Sequence, residues 1–312
     1  MEVVAARLRA LGLLDRALPA RDASDEELVR VHAPRYLELV KREIGSLEQP
    51  QYLSTGDVVV DASSLDVARR AAGGAIAALE AAVASGEPSF ALVRPPGHHA
   101  ESRRGMGFCL FNNAAIAARA YQAEHGGRVL VVDFDYHHGN GTQDVAGDGL
   151  SYVSTHASPA YPGTGRELAR LGRDAVVNVP LPASGIATEA FVAIWERLLR
   201  QCVAFARPDA IVVSAGFDYV AGDPVGDLGV AIDAARYLAH AIAAIGYEAC
   251  AGRVAYVLEG GYEIEALTAS IAHVIRATDD ATGARSGALE TSIPAAQRAQ
   301  LARIDDLFAP DA

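Results

Sequence analysis

The sequence predicts a single α/β domain, a mostly parallel central sheet with helices on both faces and its site at the C-terminal ends of the strands. Three observations carry this reading. Ala/Leu-rich helical stretches alternate with short β-branched runs, the pattern of helix-linked parallel strands. The runs are apolar almost throughout, as strands buried on both faces are. Each run ends in polar residues beside Gly or Pro, at the strand end where open sheets of this kind bind ligands.

In chain order, residues 2–44 read as helical, with Asp25-Glu-Glu before Leu28 as a helix start. A helix over Leu65–Ala84 feeds Ser89-Phe-Ala-Leu-Val-Arg-Pro-Pro-Gly97, the weakest copy of the pattern. A helix over Ala114–Glu124 feeds Arg128-Val-Leu-Val-Val-Asp-Phe-Asp135. Residues 150–186 hold one further strand-like run, Tyr152-Val-Ser, and a loop rich in Pro and Gly. Two more helices, Glu189–Ala206 and Ala231–Ala251, feed the runs Ala210–Asp218 and Val254–Tyr262. From Asp279 to Pro294 the composition turns to Gly, Ser, Thr and charges, which predicts a linker before a final helix near Ala295–Phe308. The expected division is one catalytic domain over residues 1–278, with a linker and helical tail over 279–312 packed on it.

At 312 residues and 51% hydrophobic composition, the chain has material for a large core. No apolar run approaches the roughly 20 residues of a membrane span, and the N-terminus reads as an amphipathic helix without a cleavage signal. Cys109, Cys202 and Cys250 are odd in number and sit in apolar settings, as free thiols of a reducing cytoplasm do. A formal charge of −12 argues against nucleic acid as a partner. It serves solubility and favours cationic ligands at long range.

The most informative stretch is Val131-Val-Asp-Phe-Asp-Tyr-His-His-Gly-Asn-Gly141, where a buried run ends in two carboxylates and two imidazoles. In an extended chain Asp135 and His137 project to one side, joined by Asp133. They supply two of the three protein ligands of a catalytic zinc. Asp218, at the end of another run, is a turn or cap aspartate by itself and the third ligand if the loops converge. His98 and His99 follow two stiffening prolines. An imidazole bonded to a carboxylate such as Asp133 is biased toward its charged form, whereas one bonded to an amide such as Asn140 remains a base. Tyr262, after Gly260-Gly261, is either a packing residue or an oxyanion donor. Gly107-Phe108 and Tyr161-Pro162 place aromatics that would grip an unbranched aliphatic chain. His138 reads as a structural neighbour of the ligands, and His32, His125, His156, His240 and His273 carry no assigned chemistry.

Five ordered motifs resemble the zinc-dependent histone deacetylase superfamily, which includes bacterial acetylpolyamine amidohydrolases and acetoin-utilisation proteins. They are Arg94-Pro-Pro-Gly-His-His-Ala100, Met106-Gly-Phe-Cys-Leu-Phe-Asn-Asn113, Asp133-Phe-Asp-Tyr-His-His-Gly-Asn-Gly-Thr-Gln143, Ser214-Ala-Gly-Phe-Asp218 with Ala221-Gly-Asp-Pro224, and Leu258-Glu-Gly-Gly-Tyr262. Asn140 with Thr142-Gln143 resembles the class II branch, and the resemblance runs from about Arg7 to Ala277. It implies one catalytic zinc on Asp135, His137 and Asp218, and His99 as general base and acid with Asn140 behind it. It further implies His98 paired with Asp133 as an electrostatic group, Tyr262 on the tetrahedral intermediate, and Phe108 and Gly107 walling an acyl-lysine tunnel. Tyr161 matches a wall position that is often Phe. An inner structural potassium would use Asp133, the carbonyls of Asp135 and His137, Ser154 and Thr155.

Three departures stand out against that family. Met1 begins almost inside the first helix, so either the sheet lacks its first strand, which would leave surface for a second copy to cover, or the start differs from the usual one. The loop between Gln143 and Tyr152 is about two residues short by the same comparison, which bears on an outer potassium site. Val225 stands where polyamine-specific relatives carry an acidic gate. The expected activity is zinc-dependent hydrolysis of a linear acyl-amine amide, with acetyl-lysine, acetylpolyamine or a small acylated metabolite as substrate. A non-catalytic acyl-amine binding protein and a binuclear manganese ureohydrolase are the rival classes.

Overall fold

The β-branched runs of the sequence become the centre of a seven-stranded sheet. A computed structural model describes residues 1–171, 176–279 and 294–309. The elements are α1 (Glu2–Ala10), α2 (Asp25–Val29), α3 (Pro34–Ile44), the small strands β1 (Gln51–Tyr52) and β2 (Val59–Val60), α4 (Ser64–Ser85), β3 (Ser89–Ala91) and α5 (Asn113–His125). They continue with β4 (Val129–Asp133), α6 (Asn140–Asp144), β5 (Leu150–Ala157), β6 (Ala169–Leu171), β7 (Val176–Leu181), α7 (Thr188–Ala206), β8 (Ala210–Ala215), α8 (Ala234–Cys250), β9 (Val254–Leu258), α9 (Ile264–Asp279) and α10 (Ala295–Phe308).

The sheet order is β3-β9-β8-β4-β5-β7-β6, parallel except for the β6–β7 pair at one edge. From β4 the chain builds outward through β5 and β7, then returns to β8 on the other side and continues through β9. The strand order therefore reverses between β4 and β8, and a crevice opens beyond their carboxyl ends. Alternation along each strand feeds two cores. Leu130, Val132, Ile211 and Val213 face a cluster with α7, α8 and α9, while Val129, Val131, Ala210 and Val212 face one with α3, α4 and α5.

Local chemistry explains the helix starts. Ser24 and Glu27 form a reciprocal capping box that opens α2, the Asn112 side chain caps α5, and Pro34 occupies the first turn of α3. At the tail, α10 lies on α7 through the buried Ile304 and an Arg197–Asp305 ion pair at 2.9 Å. The predicted linker falls mostly on residues 280–293, outside the described residues.

Several expectations need correction. Residues 2–44, read as helical, form three helices separated by loops: Gly12 turns with φ of +70° after α1, α2 starts at the expected Asp25, and Pro34 starts α3. The region read as one strand and a loop contains β5, β6 and β7. Val176-Val-Asn-Val-Pro-Leu181 reads poorly as a strand because Pro180 interrupts it. The runs that feed the site stop being strand earlier than expected, at Ala91, Asp133, Ala215 and Leu258, so the polar residues lie on loops beyond the sheet.

Phe134, between two of those polar residues, points into the core against Trp195, Phe217 and Tyr219 at ring distances of 6.3, 5.8 and 6.0 Å. Phe134→Ala should cost about 3–5 kcal/mol in urea denaturation, as for other large aromatic truncations. A loss below about 1 kcal/mol would show that this cluster does not support the β4 loop.

Candidate active site

The loop after β4 turns back on its own aspartates. Asp133 Oδ1 accepts from the Asp135 N–H at 3.2 Å, and Asp135 Oδ1 accepts from the His137 N–H at 2.8 Å. These Asx-type turns, rather than continued strand alternation, bring Asp135 and His137 to the crevice. Asp218 arrives from the end of β8 and accepts the Tyr136 N–H at 2.9 Å through Oδ1. His137 Nδ1 then lies 3.2 Å from Asp135 Oδ1 and 2.9 Å from Asp218 Oδ2.

One ligand atom from each of Asp135, His137 and Asp218 falls within 4.8 Å of the others. Three features of the surroundings fit a metal ion. Asp218 Oδ2 is buried, and its close polar neighbour is His137 Nδ1 of the same trio, so no group outside the trio takes up its lone pairs. A Cβ on Gly216 would stand 1.8 Å from Asp135 Oδ2, and one on Gly260 would stand 2.5 Å from Asp218 Oδ2, so glycines leave the space that the carboxylates fill. Two carboxylates and one imidazole suit a divalent ion of borderline softness such as zinc. Burial, with the charge of Asp135 beside it, pushes Asp218 up to about 6. His137 rises to about 10, because the two carboxylates outweigh its own desolvation. The trio thus holds positive charge at its centre even as bare side chains.

The two adjacent histidines differ as their partners do. His98 Nδ1 is 3.1 Å from Asp133 Oδ2, which also accepts from the Tyr152 hydroxyl at 2.9 Å. Burial opposes its charge, but Asp135 and Asp133 prevail and push His98 up to about 10. His99 Nδ1 is 2.8 Å from Asn140 Oδ1. Burial and the neighbouring His98 charge hold His99 well below its ordinary value. The Asn140 amide group donates to Glu101 Oε1 at 2.7 Å, which turns its carbonyl oxygen toward His99. A carbonyl can only accept, so His99 carries its proton on Nδ1 and leaves the Nε2 lone pair free.

Tyr262 lies after β9 with its ring 6.0 Å from Phe108 and the Arg94 guanidinium 5.3 Å from its centre. Tyr161 packs edge-on against His99 at 5.1 Å. Phe108, Val225 and Tyr161 are 57%, 43% and 38% exposed, which makes an aromatic and apolar rim above a buried floor. At Gly107 a Cβ would meet the His99 ring at 2.3 Å and Tyr161 at 2.9 Å, so glycine is required where the wall is thinnest. Ser154 lies opposite Asp133 across the β4–β5 pair, and both Ser154 and Thr155 are buried.

This arrangement has known counterparts. The histone deacetylase domain matches residues 1–278. The chain belongs to the histone deacetylase family. It is 34% identical over 272 residues to "Histone deacetylase 14, chloroplastic" of Arabidopsis thaliana, covering 82% of this chain and 64% of that one. It is 36% identical over 287 residues to "Polyamine deacetylase HDAC10" of Homo sapiens, covering 86% of this chain and 42% of that protein. The crystal structure of the HDA15 HD domain superposes with a TM-score of 0.84 at 30% identity, over 98% of this chain and 85% of that one. The chain spans 51–64% of the length of the first three curated relatives.

Within this deacetylase fold, four side chains contribute that sequence reasoning gave no role. Glu259 accepts from the Gly97 and His98 amides at 2.6 and 3.1 Å and from the Ser214 hydroxyl at 3.2 Å. Burial pushes it up to about 7, against the nearby His98 charge. Glu101 orients Asn140 as described. Asp57 accepts from the Gly107 amide and the Tyr161 hydroxyl, both at 2.9 Å. Asp223 accepts four backbone amides at the rim. Glu259 and Asp223 sit inside quoted motifs, which was the available signal, whereas Glu101 and Asp57 have none. His138 is engaged by Thr164, Gln143 and Asn178, in keeping with a structural residue.

Gly216→Ala should lower zinc affinity more than the roughly 10–100-fold that loss of an outer-shell partner costs, because Asp135 must move to admit the methyl group. Equilibrium dialysis against a zinc indicator reads this directly, and unchanged affinity would remove Asp135 from the ligand set.

Proposed function

We propose that this chain hydrolyses the amide bond of an acylated amine, releasing a carboxylic acid and a free amine, with acetyl-lysine or a related linear acyl-amine as substrate. The observation that carries the reading is the meeting of the Asp135–His137–Asp218 trio with His99, bound through Nδ1 to Asn140 Oδ1, in one buried crevice. Zinc held by those three side chains would supply Lewis-acid polarisation of the acyl carbonyl. His99 Nε2 takes a proton from the attacking water as the new C–O bond forms. The Tyr262 phenol donates to the oxygen on which negative charge develops. His99 then returns its proton to the amine nitrogen as the C–N bond breaks. His98, kept charged by Asp133, offsets negative charge on the floor without exchanging its proton.

The rim supports an unbranched chain between Phe108 and Tyr161. Val225 offers no charge to a cationic polyamine, which favours acetyl-lysine over acetylpolyamine. The inner potassium is part of the same reading. Its support is that Asp133 and Ser154 are both buried and stand opposite each other across the β4–β5 pair. Residues 1–278 act as the catalytic domain, and the docked α10 supports a tail that packs on it. Among the described residues no helix is long and apolar enough to cross a membrane. The cytoplasmic reading rests on the three buried free cysteines.

Purified protein should release acetate from acetyl-lysine peptides faster than from acetylated polyamines or longer acyl-lysines. Tyr262→Phe should cost about 10²–10³ in turnover, and near-normal turnover in that variant would mean that the oxyanion donor lies elsewhere. Stripping metal with a chelator should abolish the activity and one equivalent of zinc should restore it. Full activity in metal-free protein would end the zinc-dependent reading.

A further inference from the structure

Tyr262 follows two glycines, and Gly261 has a φ of +117°, so the peptide that carries the phenol has little restraint of its own. Its ring is held by packing alone on two sides, against Phe108 and beneath the Arg94 guanidinium. Phe108 is itself exposed and cannot act as a firm stop. The backbone is fixed by one buried carboxylate. Asp223 Oδ2 accepts from the Tyr262 N–H at 2.6 Å and the Glu263 N–H at 3.1 Å. Asp223 Oδ1 accepts from the Val225 N–H at 2.9 Å and the Gly226 N–H at 3.2 Å. Four charge-assisted bonds on one side chain make a stiff joint between two otherwise separate loops.

That joint stands on firm ground. The turn carrying Asp223 is closed by Asp223 N–H to the Val220 carbonyl at 3.2 Å and by Ala221 N–H to the Val230 carbonyl at 2.9 Å. A Cβ on Gly226 would lie 2.4 Å from the Asp218 carbonyl oxygen and 2.7 Å from the Tyr136 ring, so this loop is pressed onto the backbone of a metal-ligand candidate. The carboxylate therefore relays the position of Asp218 to Tyr262.

We propose that Asp223 is the positioning residue for Tyr262, setting the phenol over the metal trio and tying it to the rim at Val225. The assignment rests on the amidohydrolase reading given above. Asp223→Asn replaces one oxygen by an amide donor, which in either orientation faces two backbone N–H groups and breaks one half of the joint. Misplacement of a catalytic group by about 1 Å costs on the order of 10²-fold. Asp223→Asn should therefore lower kcat about 10- to 100-fold, with KM within about two-fold. Because the effect runs through the phenol, it should vanish once the phenol is gone: Asp223→Asn combined with Tyr262→Phe should be no slower than Tyr262→Phe alone.

The test is a double-mutant cycle on acetyl-lysine peptide, with zinc content measured on each protein. A loss in kcat that disappears in the Tyr262→Phe background supports the role. Wild-type kcat in Asp223→Asn, a multiplicative loss in the double variant, or loss of zinc from Asp223→Asn overturns it. If Asp223→Asn does not fold, the same cycle is read on Asp223→Glu, which keeps the charge and moves it by one methylene. A wild-type protein inactive on every acyl-amine sinks the function reading instead, so the two failures are distinguishable.

Discussion

Four buried carboxylates at one end of a parallel sheet set the terms for everything around them. Asp133, Asp135, Asp218 and Glu259 are all almost completely shielded from water within a space spanned by the loops after β3, β4, β8 and β9. Burying one uncompensated carboxylate costs several kcal/mol even after relaxation, so four together demand fixed positive charge and many donors. The molecule supplies both. His98 stays charged between Asp133 and Asp135, and backbone amides of Gly97, His98, Asp135, Tyr136, His137 and Gly260 point inward at the acids. His137 lies between Asp135 and Asp218, and these three side chains together could hold a divalent cation.

The same constraint explains why the strands end where they do. Asp133, Ala215 and Leu258 are the last residues with ladder partners; Phe134 and Glu259 each donate one further bond to β8, and the N–H groups of Asp135, Tyr136, His137 and Gly260 then turn onto carboxylates. An amide that leaves the sheet must find another acceptor. Here the buried acids are those acceptors, so fold and candidate site share hydrogen bonds. Glycine at 216 and 260 follows from this economy, since any side chain there would occupy the volume of the acids.

Much of this was legible in the sequence. Continuous apolar runs with polar ends give the parallel sheet, and the clustering of Asp135, His137, Asp218, His98, His99 and Tyr262 at such ends gives the site. Other features were hidden for physical reasons. The convergence of Asp135 and His137 depends on side-chain-to-backbone turns, which override the two-residue alternation used to place them. Val176–Leu181 carries a proline and so fails the strand pattern, yet its antiparallel neighbour is only the three-residue β6, where the sheet ends. Glu101 and Asp57 act across 39 and 50 residues of chain on partners that no local pattern specifies.

Floor and rim are built to different standards. On the floor Asp133, Asp135, Asp218, Glu259, His98 and His99 are buried and each is hydrogen-bonded to a buried or part-buried partner. At the rim Phe108 and Val225 are largely exposed, and Tyr161 is secured through a single hydroxyl to Asp57. Chemistry that needs atoms fixed to fractions of an ångström belongs on the first kind of surface, whereas discrimination between chains of differing length and charge needs only coarse contact. Exchanges at the rim can therefore change what enters while leaving the buried acids undisturbed. An exchange at Gly216, Gly260 or Glu259 reaches the metal trio or the histidine pair directly, which is why the reaction class is written far more clearly in this chain than the identity of its substrate.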